Sequence, residues 1–294
     1  MSAFQVFSSA AIGRPFIFPE RRSSAALLAE LNSLSKFASP VTSGSRLHVR
    51  PAPEMMSCGI RELDALTGGL PRGCITEIGG AASSGRTSIL FAALAHATRR
   101  GEVCALVDAS DALHPASAAA AGVQLERLLW VRCRKAVSSV RSKHNFEKLN
   151  HIKSDSFGRG VESQLEQVLK VTDLLLQSNG FGMIVLDLSD ISARSARRIP
   201  LASWFRFRRA IEHTPTVLLI LEQQPIAGSC SSVLMKVSGK RPSALSTQSS
   251  ANYLSHTKLL NEFEINAELL RSRLDRKSPQ SATASFSSQA SWAS

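Results

Sequence analysis

A chain of 294 residues has room for one or two domains and a substantial core. Hydrophobic residues make up 44%, and no apolar run approaches the ~18 residues of a bilayer-spanning helix, so no membrane segment is expected. The formal charge of +12 and pI of about 10.1 either serve solubility alone or ask for an anionic partner, of which nucleic acid is the commonest.

The first 22 residues lack a basic stretch followed by a long apolar core. They read as a flexible lead rather than a secretory signal, with some transit-peptide character in their Ser and Arg content. Residues 23–37, "SSAALLAELNSLSKF", predict a short amphipathic helix with Leu27, Leu28, Leu31 and Leu34 on one side. The Pro- and Ser-rich residues 38–54 predict a linker, so that residues 1–54 form an N-terminal extension. Strands and helices then alternate through residues 55–277. "CITEIGG" enters a Gly-bearing loop, and "RTSILFAALAHATRRG" is a helix stopped by basic residues and Gly101. "VCALVDAS" and "LLWVRC" are strands. "VESQLEQVLKVTDLLLQSNG" is a long helix with Val161, Leu165, Val168, Leu169, Thr172, Leu175 and Leu176 in one stripe. "MIVLDLSD" and "TVLLILEQQ" are near-continuous apolar strands, the pattern of a parallel sheet covered on both faces. "VLMKV" and "FEINAELLRSRL" complete the strands. The alternation predicts an α/β fold with right-handed crossovers. Residues 134–158, basic and without period, read as a surface insertion, and residues 278–294 as a disordered tail.

Five cysteines, Cys58, Cys74, Cys104, Cys133 and Cys230, are odd in number and dispersed, with no C-x-x-C pair. Zinc and redox motifs are therefore not expected, and a reducing cytoplasm fits.

The chemistry concentrates at "GGAASSGRTS". A phosphate-binding loop reads G-x-x-x-x-G-K-[ST], and here Gly80 and Gly85 hold the glycine positions, Thr87 the hydroxyl, and Arg86 the place of lysine. Glycines allow backbone N–H groups to wrap a phosphate, and the following helix aims its N-terminus at the anion. Arginine keeps the charge but is larger and planar. A Gly-rich strand-to-helix turn with no ligand is the competing reading. A second concentration lies in residues 192–213, where Arg194, Arg197, Arg198, Arg206, Arg208 and Arg209 occur with no acid between Asp190 and Glu212. These arginines either track a phosphate backbone or line the solvated face of an amphipathic helix. The pattern expects Leu201, Trp204, Phe205 and Ile211 inward, as core rather than base-stacking residues.

The loop stands in a longer context. "GIRELDALTGGLPRGCITEIGGAASSGRTS", then "VCALVDASDALHPASAAAAGVQLERLL", "FGMIVLDLSD", "TPTVLLILEQQ" and "AELLRSRLDRKSP" occur in the order and spacing of the RecA family, which this chain resembles. The resemblance implies a RecA-like P-loop core: a mostly parallel twisted sheet with helices on both faces. It implies a nucleotide site at Gly80, Ser83, Ser84, Gly85, Arg86, Thr87, Ser88 and Gln223, with ATP and Mg as cofactors and Thr87 and Asp187 on the metal side. It places Arg271 and Arg273 at a subunit interface beside a neighbour's nucleotide, and residues 192–213 where the family binds single-stranded DNA. It also exposes departures. Ser110 stands where the family has its catalytic glutamate, Ser117 where a tyrosine stacks on adenine, and only "QPIAGSCSS" remains of a long DNA loop. The implied function is a cytoplasmic, non-catalytic DNA-repair accessory similar to the ImuA type of translesion-mutagenesis proteins. Its implied partners are single-stranded DNA, a Y-family polymerase or other mutasome protein, and a homo-oligomer or RecA filament. The alternative is an ATP-dependent recombinase. At most a weak DNA-dependent ATPase is expected.

Overall fold

The computed structural model describes residues 23–33, 52–133, 155–240, 262–274 and 282–289. The chain divides into two units, residues 1–51 and 52–294. In the first, helix α1 spans Ser24–Ser33, inside the helix expected there.

The second unit begins with a two-stranded ribbon, β1 (Met55–Met56) and β2 (Leu70–Pro71), flanking helix α2 (Arg61–Thr67). Eight further strands form one sheet. They are β3 (Cys74–Gly80), β4 (Cys104–Asp108), β5 (Leu128–Arg132), β6 (Met183–Asp187), β7 (Val217–Glu222), β8 (Val233–Lys240), β9 (Glu262–Ser272) and β10 (Ala282–Gln289), in the spatial order β10-β9-β8-β3-β7-β6-β4-β5. From β8 to β5 every pairing is parallel, and β9 and β10 are antiparallel additions. Helices α3 (Arg86–Arg99), α4 (Pro115–Ala120), α5 (Asp155–Ser178), α6 (Ala193–Ala196) and α7 (Leu201–Ile211) connect them. The expected α/β architecture is thus present. Among the described residues no helix is long and apolar enough to cross a membrane.

The apolar strands are split by their own alternation, since successive side chains point to opposite faces. Cys104 and Leu106 of β4, Met183 and Val185 of β6, and Val217, Leu219 and Leu221 of β7 join one core with Ile89, Leu90, Ala93 and Leu94 of α3. Their neighbours Ala105, Val107, Ile184, Leu186, Leu218 and Ile220 join the other, with Leu165, Val168 and Leu176 of α5 and Trp204, Phe207 and Ile211 of α7. Both faces are covered, which is why the strands read as continuous apolar runs. The cysteines are free, and burial pushes the thiols of Cys58 and Cys104 up to about 12, as inert core residues require.

Three expectations need correction. Helix α5 begins at Asp155 rather than near Val161, so the end of the stretch read as an insertion is helical; residues 134–154 lie outside the described residues. Part of the stretch read as a disordered tail forms β10, paired with β9 from Ala282↔Leu269 to Gln289↔Glu262. Its alternate residues Ala284, Phe286 and Ser288 are partly covered, and Phe286 packs on the core, so a period-2 pattern of small residues with one aromatic suffices on a preformed edge. On α7 the inward residues are Trp204, Phe207 and Ile211, whereas Leu201 and Phe205 are 56% and 47% exposed. Spacing of three and four selects 204, 207 and 211 together and turns 201 and 205 outward.

Candidate nucleotide site and basic face

Strand β3 ends at Gly80, and α3 starts at Arg86 behind the N-cap residue Gly85, whose φ is 95°. No side chain caps this helix, so its first-turn N–H groups are left by helix geometry for another acceptor. A Cβ at Gly80 would lie 2.6 Å from the carbonyl oxygen of Val237 on β8, and one at Gly85 would enter the side chain of Ile265 on β9. Both glycines are therefore required by packing, whatever the loop binds. Ser83, at φ 58°, and Thr87 are exposed, while Ser84 is buried with no hydrogen-bond partner for its hydroxyl. Ser88 is bonded to Ser288 of β10, Oγ to Oγ at 3.1 Å.

Arg86 is 6% exposed, and its Nη1 atom has no hydrogen-bond partner. Burial lowers the pKa of its guanidinium, opposed by the charges of Asp187, Asp190 and Glu222, in that order. Asp187 sits at the end of β6, two strands from β3, where its Oδ1 accepts the Ser189 N–H at 2.9 Å. Burial raises its pKa, against the hydrogen bonds from Ser189. Gln223 is exposed beyond β7 and donates from Nε2 to the Ser189 carbonyl at 3.1 Å. The sheet thus brings the loop, Asp187 and Gln223 to the carboxyl ends of neighbouring parallel strands, the edge where open α/β sheets bind ligands.

The donor set fits a phosphate better than a metal. An uncapped helix start and an orphaned buried guanidinium both lack an anion. Among the described residues no group of three or more His, Cys, Asp or Glu could hold a metal ion.

The end of β4 lies nearby. Asp108 is buried and accepts the N–H groups of Ser110, Ala112 and Leu113 at 3.1, 3.1 and 2.9 Å and Trp130 Nε1–H at 3.1 Å. Asp111, at φ 58°, is held by Arg132 through Nε and Nη2 at 2.5 and 2.8 Å, and Arg132 stacks over Trp130. Both carboxylates of this turn are committed, and Ser110 stands between them. His114 caps the following helix, its ring Nδ1 accepting the Ser117 N–H.

Two residues escaped the sequence reading. Glu77 and Glu222 are 0% and 1% exposed on adjacent strands β3 and β7. Oε1 of Glu77 accepts the N–H groups of Ile226 and Ala227 at 2.9 and 2.6 Å, which satisfies one of its two buried oxygens. Burial and then Glu77 push the carboxyl of Glu222 up to about 10, and neither of its oxygens, both buried, has a hydrogen-bond partner. The available signal was an acid within each apolar run, "CITEIGG" and "LLILE".

Arg271 and Arg273 do not extend from a free edge. From β9, Arg271 Nη2 donates to the Gly228 carbonyl at 2.6 Å and to Ser231 Oγ, and lies 3.7 Å from Glu77 Oε2. Arg273 Nη1 donates to the Ser229 carbonyl at 2.9 Å. Both close on the chain's own turn after β7, at Gly228–Ser231. The basic face is divided. Arg206 is bonded to Asp173 of α5 at 2.9 Å, which ties α7 to α5, and Arg197 donates to Gln224. Arg194, Arg198, Arg208 and Arg209 are exposed.

Residues 43–138 match the model for the RecA N-terminal domain. Over those residues this chain is similar to the RecA N-terminal domain. The RecA protein of Rickettsia massiliae (strain Mtu5) is 32% identical over 170 residues, which is 57% of this chain and 40% of that protein. The RecA protein of Pseudomonas fluorescens (strain SBW25) is 34% identical over 142 residues, 48% of this chain and 32% of the relative. The chain thus spans less than half the length of these curated relatives. The residues matched by the family model include the loop, β4 and β5 and end before Asp187, Gln223 and the paired arginines.

Proposed function

We propose that this chain is a DNA-repair protein of the RecA family with a degenerate ATP site, a non-catalytic accessory in the DNA-damage (SOS) response or translesion mutagenesis. The observation that carries the proposal is the turn after β4. Ser110 occupies the place of the family's water-activating carboxylate, Asp108 is consumed by four hydrogen bonds, and Asp111 by Arg132. No acid in the turn is left to act as general base, whose loss typically lowers the rate 10²–10⁴-fold. The loop of residues 80–88 retains a phosphate cradle for ATP, with Gln223 beside it.

On this reading single-stranded DNA binds along Arg194, Arg197, Arg198, Arg208 and Arg209. A Y-family polymerase or another mutasome protein, a RecA filament or a second copy is the protein partner, in the cytoplasm. The competing ATP-dependent recombinase draws on the uncapped start of α3 and on Gln223. A phosphate-release assay separates them. The accessory reading expects negligible turnover with or without single-stranded DNA, and a gain in the variant combining Ser110→Glu with Arg86→Lys. Turnover like that of an ordinary RecA rules the accessory reading out.

A further inference from the structure

Arg86 is the first residue of α3, so its charge sits at the end of the helix where the macrodipole is already positive. A guanidinium buried there carries a desolvation penalty that only a well-placed anion offsets. The charges acting on it are few. Asp187 contributes most, then Asp190, then Glu222, whose carboxyl is itself pushed up by burial and then by Glu77. Asp190 is exposed and screened by water. Nη1 of Arg86 and Oγ of Ser84, both buried and both without a partner, lie on either side of Gly85. Two unmatched polar side chains, an uncapped helix start and a surplus positive charge therefore converge at one loop. Asp187, the acid that a loop-bound metal needs, is meanwhile the main countercharge of Arg86.

We propose that Arg86 turns this loop into a metal-independent phosphate site, its buried guanidinium at the start of α3 taking the place of a divalent cation and binding the terminal phosphate of a nucleoside di- or triphosphate. A planar guanidinium grips two phosphate oxygens at once, which a compact ammonium cannot, so the arginine supplies both the charge and the orientation that lysine and metal divide between them. The inference rests on the loop being a phosphate cradle, as proposed above.

Calorimetric titration of the full chain with ATP, ADP, pyrophosphate and inorganic phosphate, each with EDTA and with excess Mg²⁺, tests it. Expected is a Kd for ATP or ADP that changes by less than about threefold between the two conditions, loss of about tenfold or more in affinity in Arg86→Ala, and a new Mg²⁺ dependence in Arg86→Lys. Circular dichroism of each variant checks the fold, and Arg86→Gln provides a second neutral substitution of similar size. Binding that requires Mg²⁺, binding equally strong in Arg86→Ala, or no binding of any of the four ligands overturns the proposal. Pyrophosphate or inorganic phosphate binding as tightly as the nucleotides overturns the nucleotide assignment. Single-stranded-DNA binding by the same preparations is the separate readout of the accessory function, so loss of one leaves the other standing.

Discussion

At the scale of the residue, the buried acids of β3 and β7 govern how the site responds to pH. Glu222 has its carboxyl raised from an ordinary value of 4.5 to about 10, first by burial and then by Glu77. A raised acid contributes stability that is complete below its unfolded value and is lost as pH rises toward its folded value. The window is therefore about pH 4.5 to 10, and in it the protein loses on the order of 1 kcal/mol of stability per pH unit from this group. Glutamine keeps the shape of the neutral carboxyl and cannot ionise. Glu222→Gln should melt higher than the parent at pH 8 to 9 and about equally near pH 4.5, with a flatter dependence of Tm on pH between them. Thermal denaturation across that range checks this, and parallel curves for the two proteins would refute the protonated pair. The same scale separates the two arginine problems. Arg86 is buried without a bonded anion, whereas Arg132 is matched by Asp111 and by the ring of Trp130.

At the scale of elements, β9 clamps the turn that follows β7. A bulge on β9 puts Arg271 opposite Leu234 and Leu269 opposite Met235, leaving Leu270 as the extra residue. Arg271 and Arg273 then share a face at a spacing of two and reach the carbonyls of Gly228 and Ser229. Arg271 also stands beside the buried Glu77. Its removal strips a buried acid of its nearest cation and the turn of its donor, so Arg271→Ala should destabilise by about 1–3 kcal/mol. Arg273 is exposed and makes one bond to a carbonyl, so Arg273→Ala should stay within about 0.5 kcal/mol of the parent. Urea denaturation of the two single variants measures the contrast. Equal small effects would show that the clamp is not a source of stability and would return both residues to a role between subunits.

At the scale of the molecule, the excess of cations is organised by where acids are. Arg206 is neutralised by Asp173 across two helices, and Arg72 by Glu102 and Glu54 at the other end of the sheet. The arginines around α6 project from a segment whose core face is formed by Ile191, Ala196 and Ile199, so three of them share solvent on one surface. If these touch nucleic-acid phosphates, each contributes about −0.7 to the log–log slope of affinity against salt for single strands. Replacing Arg194, Arg197 and Arg198 together with alanine should flatten that slope by about two units while leaving Tm close to the parent. Fluorescence anisotropy of a labelled oligonucleotide over a salt series gives the slope, and an unchanged slope assigns these arginines to the solvated surface instead.

The alternation of apolar runs, a period of two against a period of 3.6, determined the α/β class and the positions of β3, β4, β6, β7, α3 and α5 from sequence alone, because burial on both faces of a sheet leaves no polar positions to blur the signal. The loop of residues 80–88 was legible for a similar local reason: its glycines, hydroxyls and Arg86 are consecutive. Three things were decided only by tertiary structure. Glycine at 80 and 85 is required by β8 and β9, strands more than 150 residues away in the chain, so those glycines by themselves do not report a ligand. Whether Asp111 is left open or held depended on Arg132, which β5 carries alongside β4. Arg271, Glu77 and the turn at Gly228 meet because β9 and β3 both flank β8. Periodicity reports which side of its own element a residue occupies, through contacts a few residues apart. The partner of a charge is chosen by strand order, which no local pattern encodes.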